Sequence, residues 1–288
     1  MPGPRQRITP AHARALRSFR LSWHLLKGCA ISAFVFPFIH RRAQLRIIQR
    51  WSRGVLDILH VRLHRQGTIP SDTTPTVVVA NHVSWLDIWL IHSVNPVRFV
   101  AKSDIRNWPV VGWLVEKAGT IFIQREKRHD TARTNRVIID TLIRGEKVGM
   151  FPEGTTTDGT ELKPFHASLF QPALGAGARI VAVALRYPGA HGGPNLDAAY
   201  AGNRSLLESL RLILRHPSLR AELIVAGVFD VSGKTRREIA SEAERLIARA
   251  LALPAPDRRP GKRVDPPAVS PSTGDPRDSR YPARSDHP

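Results

Sequence analysis

Between residues 75 and 250 the chain alternates short β-branched runs with segments of helical period, and this alternation restricts the fold more than anything else in the sequence. The runs at 76–80, 98–101, 120–123, 147–151, 179–186 and 222–228 read as strands, the first entered from Pro75. The segments at 86–93, 108–118, 130–144, 206–215 and 235–250 read as helices. The last carries Ile239, Ala243, Leu246 and Ile247 on one side and Arg236, Arg237, Glu238, Glu242 and Glu244 on the other. Strands alternating with helices predict an α/β fold, a mostly parallel sheet flanked by helices.

The segment before this region has a different character. Residues 1–66 hold thirteen Arg or Lys and one acid, Asp57. Within them Gly28 to Ile39 carries no charge, a run too short for a straight transmembrane helix of about 20 residues. No small-residue cleavage site precedes the Arg41-Arg42 pair, so a secretory signal is a poor fit. A shallow or re-entrant membrane segment fits better; a full span would need Leu21, Trp23, Leu25 and Leu26 to extend the run past His24 and Lys27. From Arg41 to Arg65 the pattern predicts one basic amphipathic helix, with Leu45, Ile48, Trp51, Val55, Ile58, Leu59 and Val61 on its apolar side and Arg42, Arg46, Arg50 and Arg53 on its polar side. The organisation expected is a membrane-associating helical segment at 1–66, an α/β domain at 67–252 and a disordered tail at 253–288. Nine prolines and almost no large apolar side chains after residue 253 leave the tail too little surface to bury, and the first dozen residues read the same way.

A net charge of +19 favours an anionic partner: nucleic acid, an acidic lipid surface or a phosphorylated substrate. Nucleic acid is disfavoured, because the basic block at 41–65 offers one interleaved aromatic, Trp51, and no recognisable module. With Cys29 as the single cysteine, an intramolecular disulfide is impossible. The histidines are scattered, no His-Glu-x-x-His occurs, and no metal site is expected.

Chemistry is concentrated at strand ends. Asn81-His82-Val83-Ser84-Trp85-Leu86-Asp87 follows the apolar run 76–80, and the carboxyl ends of such strands are where open α/β sheets bind ligands. The spacing suits a histidine just before a helix and an aspartate in its first turn. Asp87 can then fix the tautomer of His82 and leave the other nitrogen free as a base, able to take the proton of a hydroxyl attacking an acyl carbonyl. Ser84 lacks the glycine-flanked elbow of a serine nucleophile and is better placed to cap the helix. Gly119-Thr120-Ile121-Phe122-Ile123-Gln124-Arg125 is a strand ending in a guanidinium that can grip an anion in a planar fork. Phe151-Pro152-Glu153-Gly154-Thr155 ends another strand in a glycine turn. Backbone N–H groups there could hold a phosphate or an oxyanion, and Glu153 could accept from a substrate hydroxyl or order the loop.

Together these blocks resemble the glycerolipid acyltransferase family, best known for 1-acyl-sn-glycerol-3-phosphate acyltransferases. His82 to Asp87 matches its His-x4-Asp pattern; Gly119, Phe122 and Arg125 match its second block; residues 151–155 match its Phe-Pro-Glu-Gly-Thr block without a gap. Ile180 to Leu185 is similar to its fourth, with Ala182 where proline is frequent. The resemblance covers roughly residues 75–230. It implies direct acyl transfer from a thioester of acyl carrier protein or coenzyme A to the hydroxyl of a lysolipid, with no cofactor and no covalent acyl-enzyme. His82 would be the base, oriented by Asp87. Lys102, Gly119, Phe122, Arg125, Glu153, Gly154 and Thr155 would form the acceptor side. The amino-terminal segments would hold the enzyme on an anionic membrane, on the cytoplasmic face of a bacterial inner membrane. One departure bears on the acceptor. Many lysophosphatidate enzymes continue the third block with Arg-Ser, whereas this chain has Thr156-Thr157-Asp158-Gly159, a form similar to lyso-ornithine lipid acyltransferases. Lysophosphatidate is the first expectation and lyso-ornithine lipid the alternative.

Overall fold

The computed structural model describes residues 8–107, 110–123, 128–190 and 192–256; Arg125, the start of the helix expected at 108 and the proline-rich stretch from 257 lie outside them. Two helices open the fold, α1 (Ala11–Phe34) and α2 (Arg41–Ile58). Then come β1 (Val61–Gln66), β2 (Thr76–Ala80), α3 (Leu86–Val94), β3 (Arg98–Lys102), α4 (Val111–Lys117), β4 (Ile121–Ile123), α5 (Arg128–Ile143) and β5 (Lys147–Met150). The chain closes with α6 (Gln171–Gly175), β6 (Arg179–Arg186), α7 (Leu206–Arg215), β7 (Leu219–Asp230) and α8 (Arg236–Leu251). The seven strands form one sheet in the order β1-β7-β6-β2-β5-β3-β4. All neighbours are parallel except β6 and β7, as the alternation predicts.

β2 lies at the centre, which explains its unbroken apolar sequence: a strand covered on both faces has no polar side. Its pleat divides the core. Val77 and Val79 pack with Ile138, Leu142, Phe170, Ile239 and Ile247 beneath α5 and α8. Val78 and Ala80 pack with Leu56, Leu90 and Ile213 beneath α2, α3 and α7. Each of these valines is fully buried and contributes about 1.5–3 kcal/mol. α8 starts with a reciprocal capping box between Thr235 and Glu238.

Three expectations are corrected. The helix predicted over 41–65 ends at Ile58, and Val61–Gln66 is an edge strand parallel to β7. The apolar period changes from helical to alternating at His60, whose φ of 56° breaks the helix; Val61 and Leu63 then fit a strand as well as they fitted a helical stripe. β7 runs from Leu219 to Asp230, longer than predicted, because its first half pairs with β1 and most of its length with β6. Within the first dozen residues, Thr9 is buried, and its N–H donates to the Arg215 carbonyl at 2.9 Å.

The uncharged run beginning at Gly28 is no separate segment. It completes α1, and Phe36-Pro37-Phe38 then turns the chain into α2. By length and composition, with a mean hydropathy of 1.3 over its most apolar 18 residues, Ala11–Phe38 could cross a membrane. One side of α1 is nevertheless packed on the protein through Arg17, Leu21, Gly28 and Ser32. A Cβ on Gly28 would lie 2.8 Å from Trp51 Nε1, so the glycine sets the approach of α1 to α2. The buried Arg17 guanidinium donates to the carbonyls of Ile58, Leu59, Leu214 and His216, binding α1 to the open carboxyl ends of α2 and α7. The other side carries Leu16, Phe19, Trp23 and Leu26 at helical spacing, followed by Phe34 and Phe38, all more than half exposed.

Candidate active site

His82 stands just beyond the carboxyl end of β2, and three neighbouring segments fix its loop. The buried Asn81 amide makes a reciprocal pair with Leu185 of β6, Nδ2 donating to the carbonyl at 2.9 Å and Oδ1 accepting from the N–H at 2.7 Å. It continues the β2–β6 pairing one residue past the strand. The His82 carbonyl accepts from Thr157 N–H and the Val83 carbonyl from Tyr200 N–H, both at 2.8 Å. The imidazole is stacked on Phe151 with centroids 3.9 Å apart, and Phe151 on Phe99 at 5.4 Å, so the ring plane is held by packing.

His82 Nδ1 donates to Asp87 Oδ2 at 2.9 Å. A carboxylate only accepts, so the proton belongs on Nδ1 and Nε2 keeps its lone pair. No described residue bonds Nε2, and the imidazole lines the cleft described below. Asp87 is fully buried and carries four donors: Oδ2 also accepts from the N–H groups of Val83 at 2.7 Å and Ser84 at 2.9 Å, and Oδ1 from the Tyr187 hydroxyl at 2.6 Å. Burial, and then Asp87 itself, hold the Tyr187 phenol well above its ordinary range, so it remains a donor. Sequence reasoning missed Tyr187. It lies one hundred residues from its partner, with only the match of β6 to the fourth family block to draw attention to its neighbourhood. Ser84 is fully buried, and its Oγ accepts from Leu86 N–H at 3.3 Å, in the first turn of α3.

Glu153 orders the loop, the second of the two roles its sequence position allows. It is buried, and its oxygens accept from two main-chain donors, His82 N–H at 2.7 Å and Lys163 N–H at 2.9 Å. It therefore joins the histidine loop to the segment after Gly159. The Gly154 N–H is also committed, to the Phe151 carbonyl at 3.1 Å, in a turn whose φ of 73° suits glycine. Burial raises the Glu153 carboxyl from 4.5 to about 7, against the two N–H bonds that lower it. A raised value means the folded state holds the proton more tightly than the unfolded state. The stabilisation is complete below about pH 4.5 and is lost as pH rises through about 7. The melting temperature is therefore expected to fall between about pH 5 and 8. In Glu153→Gln this fall should be shallower across the same window, and an unchanged slope would assign the dependence to another group.

An apolar cleft of about 410 Å³ opens at this edge of the sheet. His82 is in its wall with Lys102, Thr155 and Thr156, while Trp85, Ile88, Trp89 and Leu210 are among its apolar side chains. Lys102 is the one Lys or Arg among its described lining residues. Gly119 and Phe122 are not in this wall. Gly119 precedes β4 at its amino end, opposite the chemistry; its φ is 93°, its carbonyl accepts from Arg98 Nε at 2.7 Å, and a Cβ there would lie 2.8 Å from Arg41 Nη2. The residue thus allows two arginines to grip a turn. Phe122 lies under the Arg106 guanidinium, 5.6 Å from ring centroid to Cζ. Arg125, expected on the acceptor side, lies outside the described residues.

The acyltransferase family model matches residues 60–186. The chain is 46% identical over 142 residues to the 1-acyl-sn-glycerol-3-phosphate acyltransferase of Neisseria meningitidis serogroup B, covering 49% of this chain and 56% of that protein. It therefore matches little more than half the length of that relative. It is 36% identical over 217 residues to the lyso-ornithine lipid O-acyltransferase of Pseudomonas aeruginosa, covering 74% of this chain and 83% of that protein. The crystal structure of the 1-acyl-sn-glycerophosphate acyltransferase PlsC from Thermotoga maritima superposes with a TM-score of 0.60 at 21% identity, covering 83% of this chain and 96% of the other, and shares the fold. On the extent of the match to the Pseudomonas protein, together with the family model, this chain belongs to the acyltransferase family.

Proposed function

We propose that this protein transfers a fatty acyl group from an acyl thioester of acyl carrier protein or coenzyme A to the free hydroxyl of a lysolipid, 1-acyl-sn-glycerol-3-phosphate in the first reading. The observation that carries the reading is the His82 Nδ1–Asp87 contact of 2.9 Å in the wall of an apolar cleft large enough for a lipid chain. Nε2 takes the acceptor hydroxyl proton as the oxygen attacks the thioester carbonyl. The tetrahedral intermediate collapses, and the departing thiolate recovers the proton from the imidazolium. Lys102, in the same cleft wall as His82, suits an anionic head group, and Arg125 is proposed to join it.

The second reading, lyso-ornithine lipid as acceptor, is favoured by the loop that brings Thr155 and Thr156 to the cleft. It continues into the carboxylate Asp158 instead of a cation, and a carboxylate suits an amino-acid head group. Labelled acyl thioester offered to both lysolipids side by side decides between them. Faster labelling of phosphatidate is expected; faster labelling of ornithine lipid would move the assignment to the second reading. Labelling of neither would end the proposal of acyl transfer to these acceptors.

The exposed apolar stripe of α1 supports attachment to an anionic membrane, on the cytoplasmic face where acyl thioesters occur. We place α1 in the plane of the interface, since its other side is packed along the protein and Arg42, Arg46 and Arg50 of α2 add basic groups worth about 1 kcal/mol each near an anionic surface. Phe19→Glu combined with Phe34→Glu is expected to weaken sedimentation with anionic vesicles at least tenfold without lowering the melting temperature, because both side chains are more than two-thirds exposed. Undiminished sedimentation would exclude α1 as the anchor.

A further inference from the structure

Beside the cleft, between α1, α2, α3 and α4, lies a second chamber of about 80 Å³. Ile88, Trp89, Phe99, Ala101, Ile105 and Val115 line both spaces, so the chamber adjoins the cleft through shared walls. Ser32 and Thr120 bring hydroxyls to its wall, and two buried ring nitrogens there are also unused by the proposed reaction. Trp89 Nε1 and His92 Nδ1 are buried and have no hydrogen-bond partner among the described residues. The residues are three apart on α3 and so share a face of it. His92 is 5% exposed and touches Phe99 edge to face at 5.0 Å. Buried polar atoms are normally paired, and leaving two unpaired costs about 1–3 kcal/mol each.

The chemistry of the pair limits its ligand. Burial, followed by the charge of Arg41, pushes His92 down to about 3, so the ring is neutral with one donor and one acceptor nitrogen. Trp89 adds a donor only. Among the described residues no Asp, Glu, Lys or Arg lines the chamber, so none of them offers an ionised ligand a counter-charge there. A neutral group that both donates and accepts on an apolar stem satisfies the set. The shared walls connect the two spaces, and the ring contacts His82–Phe151, Phe151–Phe99 and Phe99–His92, with centroid steps of 3.9, 5.4 and 5.0 Å, set how far the chamber lies from the base. At that separation, a fatty chain with its carbonyl at His82 and its tail along the shared wall would reach the chamber part-way along its length. We infer that the chamber is a subsite for a hydroxyl carried mid-way along the fatty acyl chain, accepting from Trp89 Nε1–H and donating to the lone-pair nitrogen of His92. The inference rests on the acyl-transfer reading for the source of the chain.

The test uses the full chain with octadecanoate and its mid-chain monohydroxy positional isomers, measured twice: equilibrium binding of the free acids, and competition of their coenzyme A thioesters in transfer. One narrow range of hydroxyl positions is expected to bind about tenfold tighter than the unsubstituted acid and to be transferred in preference to it. His92→Phe and Trp89→Phe should each bring that ratio close to one. His92→Phe should melt no lower than the parent, since it removes a buried unpaired group and keeps a ring against Phe99. Equal binding of all isomers and octadecanoate, the result if ordered water satisfies both nitrogens, would overturn the inference, as would a preference that survives both substitutions. Selective binding without any transfer would uphold the chamber and remove the reaction.

Discussion

His82→Ala is expected to lower kcat about a thousandfold at saturating donor and acceptor, with the melting temperature nearly unchanged. The size follows from what is removed. Without Nε2 the acceptor alcohol must lose its proton to water while it attacks, and positioned acid–base catalysis is typically worth 10² to 10⁴ in rate. The fold should tolerate the change because the loop is held by main-chain groups that alanine retains: the N–H on Glu153 and the carbonyl on Thr157. The imidazole itself contributes its stack on Phe151 and the bond to Asp87. Binding of a non-reactive acyl thioester analogue should therefore stay within a few-fold of the parent. Turnover within tenfold of the parent would assign the base to another group. Loss of turnover with loss of fold would be resolved by His82→Gln, which keeps a polar side chain of similar reach and should be equally inactive.

Much of this arrangement is legible in the sequence because its determinants are local. The β-branched run before Asn81, the His-x4-Asp spacing and the glycine after Glu153 each fix a feature within a few residues, and α7 and β6 fall on the predicted bounds. Where reading fails, the determinant is a partner distant in the chain. Glu153 reads as either a ligand-facing or a loop-ordering acid, and only its distant partners, the N–H groups of His82 and Lys163, distinguish the two. Gly119 resembles part of an anion site, yet its requirement comes from Arg41 and Arg98, which crowd the far end of β4. Nothing near Tyr187 announces that its hydroxyl will meet Asp87. The sequence of β1 also fits a helix, because alternation over a few residues and one turn of a helix place Val61 equally well; the backbone at His60 decides, and it follows from docking on β7.

The four donors converging on Asp87 make its substitution the second large effect. Asp87→Asn is expected to lower kcat about a thousandfold, whereas Tyr187→Phe should lower it only about tenfold. An amide keeps the shape but offers one oxygen where the carboxylate offers two, and it brings two N–H groups into a site already supplied with N–H donors from His82, Val83 and Ser84. If the amide oxygen takes the Oδ2 position, those three bonds survive and the NH₂ turns to Tyr187, whose hydroxyl can rotate to accept. The tautomer of His82 is then preserved, but the negative charge that steadies the imidazolium during proton transfer is gone. If the amide is flipped, its NH₂ faces three donors, His82 loses its orienting acceptor, and the ring can present N–H instead of a lone pair to the acceptor hydroxyl. Either orientation removes turnover without displacing the cleft, so KM for both substrates should change little. Tyr187→Phe keeps the charge and the three N–H bonds and loses a single O–H donor, hence the smaller effect. The ratio between the two variants is the informative measurement. Equal losses would mean that Asp87 acts mainly through the geometry Tyr187 enforces, and a mild Asp87→Asn would show that the charge on this carboxyl contributes little to the transfer step.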